Sequence, residues 1–236
     1  IQLIEEGPEK IDLLLIAPAT ANTLSKIASG ISDTPVTLLA SSALGSGIPI
    51  VAAPSMHSSL WSNSVVKENL DRLRTIKVDV LTPQIDEGKA KITSTEVIVD
   101  AVIRRLTPQD FSGIRVFVTA GPTYETIDPI RIISNKSSGK MGFALAREAW
   151  RRGADVTLVS GPTKLTPPVS IDYTTIVTTR ELYDVVKSKL NTKHYDLFLA
   201  AAAVGDFRPV KAINEKMSSR LSQSFNIKFE TTEKVI

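Results

Sequence analysis

Hydrophobic and polar positions follow two patterns along this chain, and each pattern predicts a different element. Short continuous apolar runs between turn-forming residues are typical of strands buried on both faces. Such runs occupy residues 11–16, 48–53, 78–81, 114–118, 155–160 and 195–202. Longer segments carry apolar residues three or four positions apart, which predicts helices with one face on a sheet. These segments span residues 20–29, 58–76, 94–106, 141–152 and 179–190.

The strands and helices alternate, and this order predicts the fold class. Strand–helix alternation is typical of parallel sheets with helices on both faces. We therefore predict an α/β protein made of two doubly wound, mostly parallel, Rossmann-like units. A further strand-like segment, residues 224–230, lies near the C-terminal end.

A polar stretch, Thr107-Pro-Gln-Asp-Phe-Ser-Gly113, interrupts the alternation. Proline and glycine in such a stretch favour a linker over a helix or a strand. Because the strand–helix pattern restarts after it, we predict a first domain over residues 1–106, a linker over 107–113 and a second domain over 114–236. The chain begins with Ile1 in place of Met and stops soon after a strand-like segment, so we expect a fragment that lacks both ends.

Composition narrows the classes of function. The chain has 28 Lys and Arg against 25 Asp and Glu, so its net charge is only +3 and the signs are mixed. This balance predicts neither nucleic-acid nor membrane-surface binding, and no uncharged run approaches the roughly 18 residues of a membrane span. With no cysteine and only two histidines, disulfides, thiolate sites and a histidine-built zinc site are not expected.

The most informative segment lies between the strand at 114–118 and the helix that follows. Residues 119–142 read TAGPTYETIDPIRIISNKSSGKMG, a long loop of small and polar residues with a helix behind it. Backbone amides, hydroxyls and a helix N-terminus in this order suit an anion. Walker A spacing is missing, and Gly121 has no partners at Gly-x-Gly-x-x-Gly spacing, which counts against a standard dinucleotide site.

This segment resembles the signature of the phosphopantothenate–cysteine ligases, which join 4′-phosphopantothenate to cysteine through an acyl-nucleotide. The resemblance implies that Asn135 is catalytic and holds the acyl-nucleotide carbonyl, as a donor suited to a developing oxyanion. For Arg131 it leaves open contact with the substrate phosphate, orientation of the loop and a surface salt bridge. The nucleotide-binding residues that it implies here are Gly121, Ser137, Ser138, Gly139 and Lys140. A capping box or a solvated loop is the alternative for residues 137–140.

Two later segments extend the resemblance to the ligases. Residues 197–209, LFLAAAAVGDFRP, are similar to an Ala-rich family element that lines the nucleotide site. This similarity implies that Ala203 and Asp206 bind nucleotide and that Asp206 binds Mg²⁺, although a turn former also suits Asp206. Asn214-Glu-Lys216 is similar to the start of a mobile lysine loop, in which Lys216 would be catalytic. The residues after it, Met-Ser-Ser-Arg, depart from the family's Ile-Lys-Lys, and a solvated lysine is the alternative.

Two motifs in the first half resemble those of the flavin-dependent cysteine decarboxylases. Ala-Pro-Ala-Thr-Ala-Asn at 17–22 is similar to Pro-Ala-Ser-Ala-Asn-Thr, and Pro-Ser-Met-His-Ser-Ser-Leu-Trp at 54–61 to Pro-x-Met-Asn-x-x-Met-Trp. The FMN contacts implied by the first are Pro18, Ala19, Thr20 and Asn22. The second implies a substrate contact at Met56 and a catalytic role for His57. Helix capping is the alternative for Thr20 and His57.

The first half also departs from that family. His57 replaces the family asparagine, and an imidazole supplies only one of the amide's paired hydrogen bonds. The stretch at 84–91 has no counterpart of the cysteine that many family members carry there. The family's FMN-phosphate loop and a catalytic histidine precede the residues matched here.

The order of the two halves is similar to that of the bifunctional phosphopantothenoylcysteine decarboxylase/phosphopantothenate–cysteine ligases, the coenzyme A biosynthesis flavoproteins. The resemblance implies a flavodoxin-like flavoprotein domain followed by a ligase domain, using FMN, Mg²⁺ and CTP or ATP. Ligation of 4′-phosphopantothenate with cysteine would precede FMN-dependent decarboxylation to 4′-phosphopantetheine. It also implies a cytoplasmic homo-oligomer with trimer and dimer contacts, compatible with a dodecamer.

Two other functions remain open at this point. A non-catalytic flavodoxin-like regulatory or binding protein would bind flavin without turning over nucleotide, and it would leave Asn135, Asp206 and Lys216 unexplained. A nicotinamide oxidoreductase on a Rossmann sheet is disfavoured because the glycine fingerprint is absent.

Overall fold

The structure is a computed structural model that describes residues 11–216 and 226–235. It divides the chain into two compact units, residues 1–108 and 109–236. None of the helices described in these ranges is long and apolar enough to cross a membrane. The prediction of an α/β fold with mostly parallel sheets is confirmed.

The first unit is built on a three-stranded parallel sheet in the order β1–β2–β4. Its strands are β1 (Leu14–Ala19), β2 (Ile50–Pro54), β3 (Met56–His57), β4 (Val78–Val80), β5 (Gln84–Asp86) and β6 (Lys89–Lys91). Its helices are α1 (Ala21–Ala28), α2 (Pro35–Gly45), α3 (Ser58–Trp61), α4 (Ser64–Thr75) and α5 (Thr95–Leu106). All five residues of β2 are buried, as expected for the central strand of a sheet covered on both faces. The short strands β3, β6 and β5 form a separate antiparallel sheet.

Helix starts in the first unit follow capping rules. Thr34 caps α2 through a reciprocal box with Thr37, and Pro35 occupies the first helical turn. The predicted helix over 58–76 is in fact two helices, because the Asn63 side chain accepts hydrogen bonds from Val65 and Val66 and so starts α4.

The second unit is built on a four-stranded parallel sheet in the order β11–β10–β7–β12. Its strands are β7 (Arg115–Ala120), β8 (Tyr124–Thr126), β9 (Ile132–Ser134), β10 (Asp155–Ser160), β11 (Asp172–Thr175), β12 (Leu197–Ala200), β13 (Phe207–Pro209) and β14 (Phe229–Thr231). Its helices are α6 (Lys140–Arg151) and α7 (Thr179–Thr192). Two antiparallel pairs, β8–β9 and β13–β14, accompany the sheet.

Alternate residues of β7 face two different cores. Val116 and Val118 pack in one buried cluster with residues of α6, including Phe143. Phe117, which is fully buried, belongs to a second cluster with residues of α7, including Leu182. Because both faces of this strand are covered, its sequence is continuously apolar rather than alternating.

Most of the residues predicted as a linker are held on the second unit. Phe111 N–H donates to Arg152 O at 2.9 Å, and the Arg152 guanidinium lies 3.9 Å from the centre of the Phe111 ring. The guanidinium also pairs with Asp110, with Nε 2.8 Å from Oδ1. This pairing holds the pKa of Asp110 below its usual range and raises that of Arg152.

Candidate active site

The strand β7 ends in a turn that brings Gly121 against Gly139. Both glycines are left-handed, with φ of +72° and +74°. A Cβ added to Gly139 would lie 2.8 Å from Thr163 Cγ2 and 3.3 Å from Gly121 Cα. Glycine is therefore required here both by backbone conformation and by space, because the two turns pack against each other and against Thr163.

A third glycine joins α6 to β7. A Cβ added to Gly142 would overlap the side chain of Ala120 and lie 3.0 Å from its Cα. Close helix–strand packing and close approach of the backbone are the tasks of the glycines in a dinucleotide fingerprint. The structure assembles both from Gly121, Gly139 and Gly142, although the sequence lacks the fingerprint's spacing.

The N-terminus of α6 is uncapped by side chains. Gly139 occupies the N-cap position, and no described side chain accepts a hydrogen bond as the cap of this helix. The hydroxyl of Ser137 accepts from Gly139 N–H at 3.3 Å instead. Ser138 and Lys140 are exposed on either side of Gly139. A helix N-terminus with an exposed hydroxyl and an exposed cation beside it suits a phosphate group. The capping box considered from sequence is absent at this helix start.

Asn135 connects the signature segment to the end of β12. Its Nδ2 donates to Val204 O at 2.8 Å. Close by, Ala203 N–H donates to Gly121 O at 2.8 Å. An amide nitrogen carries two protons, so this bond orients the exposed Asn135 side chain and leaves a second N–H for a ligand.

Asp206 lines a cavity of about 360 Å³ in the second unit. The cavity is lined by Val204, Asp206, Phe207, Thr231, Thr232, Glu233, Lys234 and Val235. Thr232 N–H donates to Asp206 O at 3.0 Å, which ties the Asp206 backbone to the strand β14. Within the described ranges no three His, Cys, Asp or Glu side chains are grouped so as to hold a metal.

Glu233, another residue lining this cavity, is held by two arginines. Arg180 of α7 and Arg208 of β13 each place a guanidinium nitrogen within 3.1 Å of its carboxylate. A bond from the Glu233 backbone, followed by these two arginines, lowers the pKa of Glu233. Glu233, with Asp184, raises the pKa of Arg180, and Glu230, followed by Glu233, raises the pKa of Arg208. The charges thus stay paired beside the cavity.

The structure orients Arg131 towards its own loop. Its guanidinium pairs with Asp128, whose side chain is fully buried, and Asp128 Oδ1 accepts from Arg131 N–H at 2.7 Å. Among the roles considered for Arg131, these contacts favour orientation of the loop. Lys216 is exposed and immediately precedes residues 217–225, which lie outside the described ranges together with the predicted departures from the lysine loop.

In the first unit, the first motif lies at the carboxyl end of β1 and the start of α1. Pro18, which follows a cis peptide bond, is exposed, whereas Ala19 is fully buried. The Thr20 hydroxyl accepts from Thr23 N–H at 3.2 Å and caps α1, while Asn22 is exposed in the first turn. The capping alternative for Thr20 is therefore realised, and of the residues just before it Ala17 and Pro18 are exposed whereas Ala19 is not.

His57 also caps a helix. Its Nδ1 lies 2.9 Å from Ser59 Oγ and accepts from Ser59 N–H at 3.4 Å. A neutral His57 that accepts at Nδ1 carries its proton on Nε2. Met56, the preceding residue, is buried in the core cluster of this unit. A cavity of about 210 Å³ is lined by Ser55, Met56, His57, Lys89, Ala90 and Lys91.

The sequence did not predict a cluster of buried polar side chains in the second unit. Glu125 Oε1 accepts from Thr179 N–H at 2.8 Å, and Thr123 Oγ1 lies 2.9 Å from Thr179 Oγ1. Thr123 and Glu125 lie inside the signature segment, and Thr179 was a candidate helix start. Nothing in their spacing indicates that they meet.

Comparison with known proteins agrees with this arrangement of two units. A family model described as the DNA/pantothenate metabolism flavoprotein C-terminal domain matches residues 111–236, and one described as Flavoprotein matches residues 1–107. The coenzyme A biosynthesis bifunctional protein CoaBC of Thermococcus kodakarensis is 46% identical over 237 residues, covering 100% of this chain and 58% of that protein.

Two further proteins show how much of the chain is shared. A cysteine/cysteine sulfinic acid decarboxylase from an unknown prokaryotic organism is 37% identical over 236 residues, covering 95% of this chain and 64% of that protein. The crystal structure of the C-terminal domain of a CoaBC protein is 36% identical, covers 53% of this chain and 57% of that chain, and has a TM-score of 0.45.

The chain spans little more than half the length of the CoaBC proteins that it matches. The match to the C-terminal domain model nevertheless covers the second unit almost completely. The sequence-based resemblance is confirmed: the chain belongs to the DNA/pantothenate metabolism flavoproteins, with a flavoprotein domain followed by the C-terminal domain of that family.

Proposed function

We propose that this protein acts in coenzyme A biosynthesis by joining 4′-phosphopantothenate to cysteine and then decarboxylating the product. The second unit would carry the ligase and the first unit the FMN-dependent decarboxylase. One observation carries the ligase proposal. The hydrogen bond from Asn135 to Val204 O brings the signature loop, the uncapped start of α6 and the Asp206 turn to one edge of the sheet.

Activation of the carboxylate is the first step that the second unit must support. A carboxylate oxygen of 4′-phosphopantothenate attacks the α-phosphorus of CTP or ATP, and pyrophosphate leaves. The free amides at the start of α6, with Ser137, Ser138 and Lys140, would bind phosphate oxygens. Gly121 and Gly139 would contribute to the nucleotide site by letting their two turns pack together next to Ala203, whose N–H donates to Gly121 O. Lys216 would stabilise the charge that develops on the phosphates.

Amide formation is the second step. The amine of cysteine attacks the acyl carbonyl, and negative charge develops on its oxygen until the nucleoside monophosphate leaves. The free N–H of Asn135 would donate to this oxygen, because the first N–H is fixed on Val204 O. Arg131 would act indirectly, by holding the loop that carries Asn135 through its pair with the buried Asp128.

The donor set fits a magnesium ion bound mainly through the nucleotide. Mg²⁺ prefers six oxygen ligands and usually takes several from water and substrate phosphates. Asp206, exposed beside the cavity, would supply one carboxylate. When bound, the ion would neutralise charge on the triphosphate.

The first unit would hold FMN at the carboxyl end of β1. Pro18 is exposed, Ala19 would contribute only through its backbone because its side chain is buried, and Asn22 offers an exposed amide in the first turn of α1. Thr20 would contact the flavin only beside its capping bond. When bound, FMN would supply the redox chemistry of the decarboxylase.

Substrate contacts in the first unit would come from the segment after β2. Met56 would form part of the apolar floor of the site. Nδ1 of His57 is occupied by the start of α3, so Nε2–H is the group that would face the substrate. This geometry gives a histidine one donor at the position where the family carries an amide.

The decisive experiment measures pyrophosphate release by the full-length protein with Mg²⁺ and either CTP or ATP. Release that requires 4′-phosphopantothenate, followed by amide formation when cysteine is added, would support the ligase and identify its nucleotide. Protein that binds FMN but releases no pyrophosphate with either nucleotide would refute the ligase and favour a non-catalytic flavodoxin-like protein. A cytoplasmic homo-oligomer with trimer and dimer contacts stays a prediction from the family.

A further inference from the structure

We propose that Thr123 and Thr179 are positioning residues of the ligase site. Their hydroxyls form a closed ring of hydrogen bonds with the N–H and C=O of Gly205. This ring would fix Asn135 on one side of Gly205 and Asp206 on the other. The inference rests on the proposed function of the second unit and adds two residues to its machinery.

The hydrogen bonds of the ring run in one direction. Gly205 N–H donates to Thr123 Oγ1 at 2.8 Å, and Thr123 Oγ1 lies 2.9 Å from Thr179 Oγ1. Thr179 Oγ1 donates to Gly205 O at 3.4 Å. Each hydroxyl has a single proton. Because the Thr179 proton goes to Gly205 O, the bond between the hydroxyls must use the Thr123 proton.

The ring is buried and tightly enclosed. Thr123 is 1% exposed and Thr179 is 0% exposed. A Cβ added to Gly205 would lie 3.3 Å from Thr123 Oγ1, so a side chain there would press on the ring. In such surroundings a hydrogen-bonding group that loses its partner finds no water to replace it.

Two further hydrogen bonds connect members of the ring to neighbouring residues. Thr232 Oγ1 donates to Gly205 O at 2.6 Å, and Glu125 Oε1 accepts from Thr179 N–H at 2.8 Å. Gly205 is therefore tied to the signature segment, to the start of α7 and to the residue after β14.

The ring lies between the two groups on which the proposed chemistry depends. Val204 O, the partner of Asn135 Nδ2, precedes Gly205, and Asp206 follows it. Ser134 Oγ also donates to Thr123 O at 2.8 Å, next to Asn135 in the chain. A shift of the Gly205 peptide would thus move the Asn135 amide and the Asp206 carboxylate together. Neither threonine needs to touch a ligand for this effect.

The variant Thr179→Val tests the ring in the full-length protein. Thr179→Val keeps the shape and the backbone bond to Glu125 but removes the hydroxyl. We expect kcat for pyrophosphate release to fall about tenfold, as for one lost buried hydrogen bond, and Thr179→Ser to restore it. The control is Thr192→Val at the exposed other end of α7, where the hydroxyl donates to Ser188 O and Lys189 O of its own helix. Equal kcat in Thr179→Val and Thr192→Val would overturn the proposal.

A double variant distinguishes a ring from two separate contacts. Opening a ring at one member should remove most of its effect, so Thr123→Val combined with Thr179→Val should lower kcat by little more than either change alone. Two independent losses that multiply would overturn the ring.

Amide hydrogen exchange separates failure of the ring from failure of the proposed function. In the unliganded protein the Gly205 N–H should exchange slowly, and about tenfold faster in Thr179→Val but not in Thr192→Val. This result would support the ring even if the parent protein released no pyrophosphate, in which case the ligase assignment alone would fail. Fast exchange of Gly205 in the parent protein would overturn the ring whatever the activity.

Discussion

The two units use the polar side chains that follow their strands in different ways. In the first unit Thr20 and His57 bond within the next three residues and start their own helices. In the second unit Asn135 bonds Val204, 69 residues further along the chain, and α6 starts without a side-chain cap among the described residues. The first arrangement completes local structure, whereas the second joins distant strands and leaves helix amides for a ligand.

This difference predicts which single substitutions lower only local stability and which ones lower activity. A capping residue supports one helix, and its loss costs about 1 kcal/mol locally. A residue that joins two loops supports a geometry to which several groups contribute, so its loss acts on function before it acts on folding. The predictions below compare the two units on this basis.

The largest effect is expected for Asn135→Ala. Amide formation should slow by about 10²-fold or more, as for the loss of an oxyanion donor. Folding should be intact because the Asn135 side chain is exposed. Single-turnover amide formation by the full-length protein measures the effect, with Asn191→Ala, exposed near the end of α7, as the control. An unchanged rate would remove Asn135 from the proposed chemistry.

Alanine substitutions at two glycines distinguish the stability cost of backbone strain from that of steric crowding. Gly30 and Gly139 have φ of +72° and +74°, but a Cβ has no neighbour within 4 Å at Gly30 and meets Thr163 and Gly121 at Gly139. Gly30→Ala should cost about 1 kcal/mol from strain alone. Gly139→Ala should cost roughly 2–4 kcal/mol, since overpacking adds to the strain.

The measurement is urea unfolding of each variant, followed by hydrogen exchange within the substituted unit. Gly139→Ala should also weaken nucleotide binding, whereas Gly30→Ala should leave it unchanged. Equal losses of stability in the two variants would show that the contact between Gly121 and Gly139 is not tight.

A smaller effect is expected for Thr20→Ala. Loss of the cap should speed exchange of the first amides of α1 about fivefold, corresponding to about 1 kcal/mol. Thr20→Ser should restore the parent rate, because serine supplies the same acceptor. Pyrophosphate release should be the same in all three proteins. A drop in ligase activity would mean that the first unit does more than support its own helix.

The smallest effect is expected for the stability of β13 and β14 at acidic pH. The pKa of Glu233 is lowered by its backbone and by Arg180 and Arg208, so its carboxylate stabilises the folded state above its ordinary pKa. That contribution should be lost as the pH falls from about 4.3 through the lower folded pKa. After correction for the intrinsic effect of pH on amide exchange, the protection of the amides of β13 and β14 should therefore decrease in this range. Glu233→Gln should remove this loss of protection.

Much of the fold could be predicted because its strongest patterns are local. The strand predicted over 155–160 is found at Asp155–Ser160, and the helix predicted over 179–190 is Thr179–Thr192. The helix α2 was not predicted, since its sequence, PVTLLASSALG, has no charged face to reveal a helical period. The strands β8, β9 and β13 have three residues each, too few for alternation to show.

Sequence motifs predicted individual residues of the candidate site but not the contacts between them. The signature segment indicated Asn135, but no local pattern indicates that Val204 accepts its hydrogen bond. The threonine ring depends on the parallel order of β7 and β12, which brings residues 82 positions apart into contact. In the same way, the contact of Asp110 and Phe111 with Arg152 comes from tertiary structure, whereas their sequence is typical of a linker.

The uncapped start of α6 also couples the stability of the second unit to the ions around it. Among the described residues no side chain caps α6, so an anion bound at this helix start would supply acceptors for its first amides. By linkage, a bound anion stabilises the folded unit in proportion to the logarithm of its concentration once the site is filled. Phosphate or nucleotide in solution would thus take the place of a capping side chain at the start of α6. The second unit would be least stable where the concentration of such anions is low.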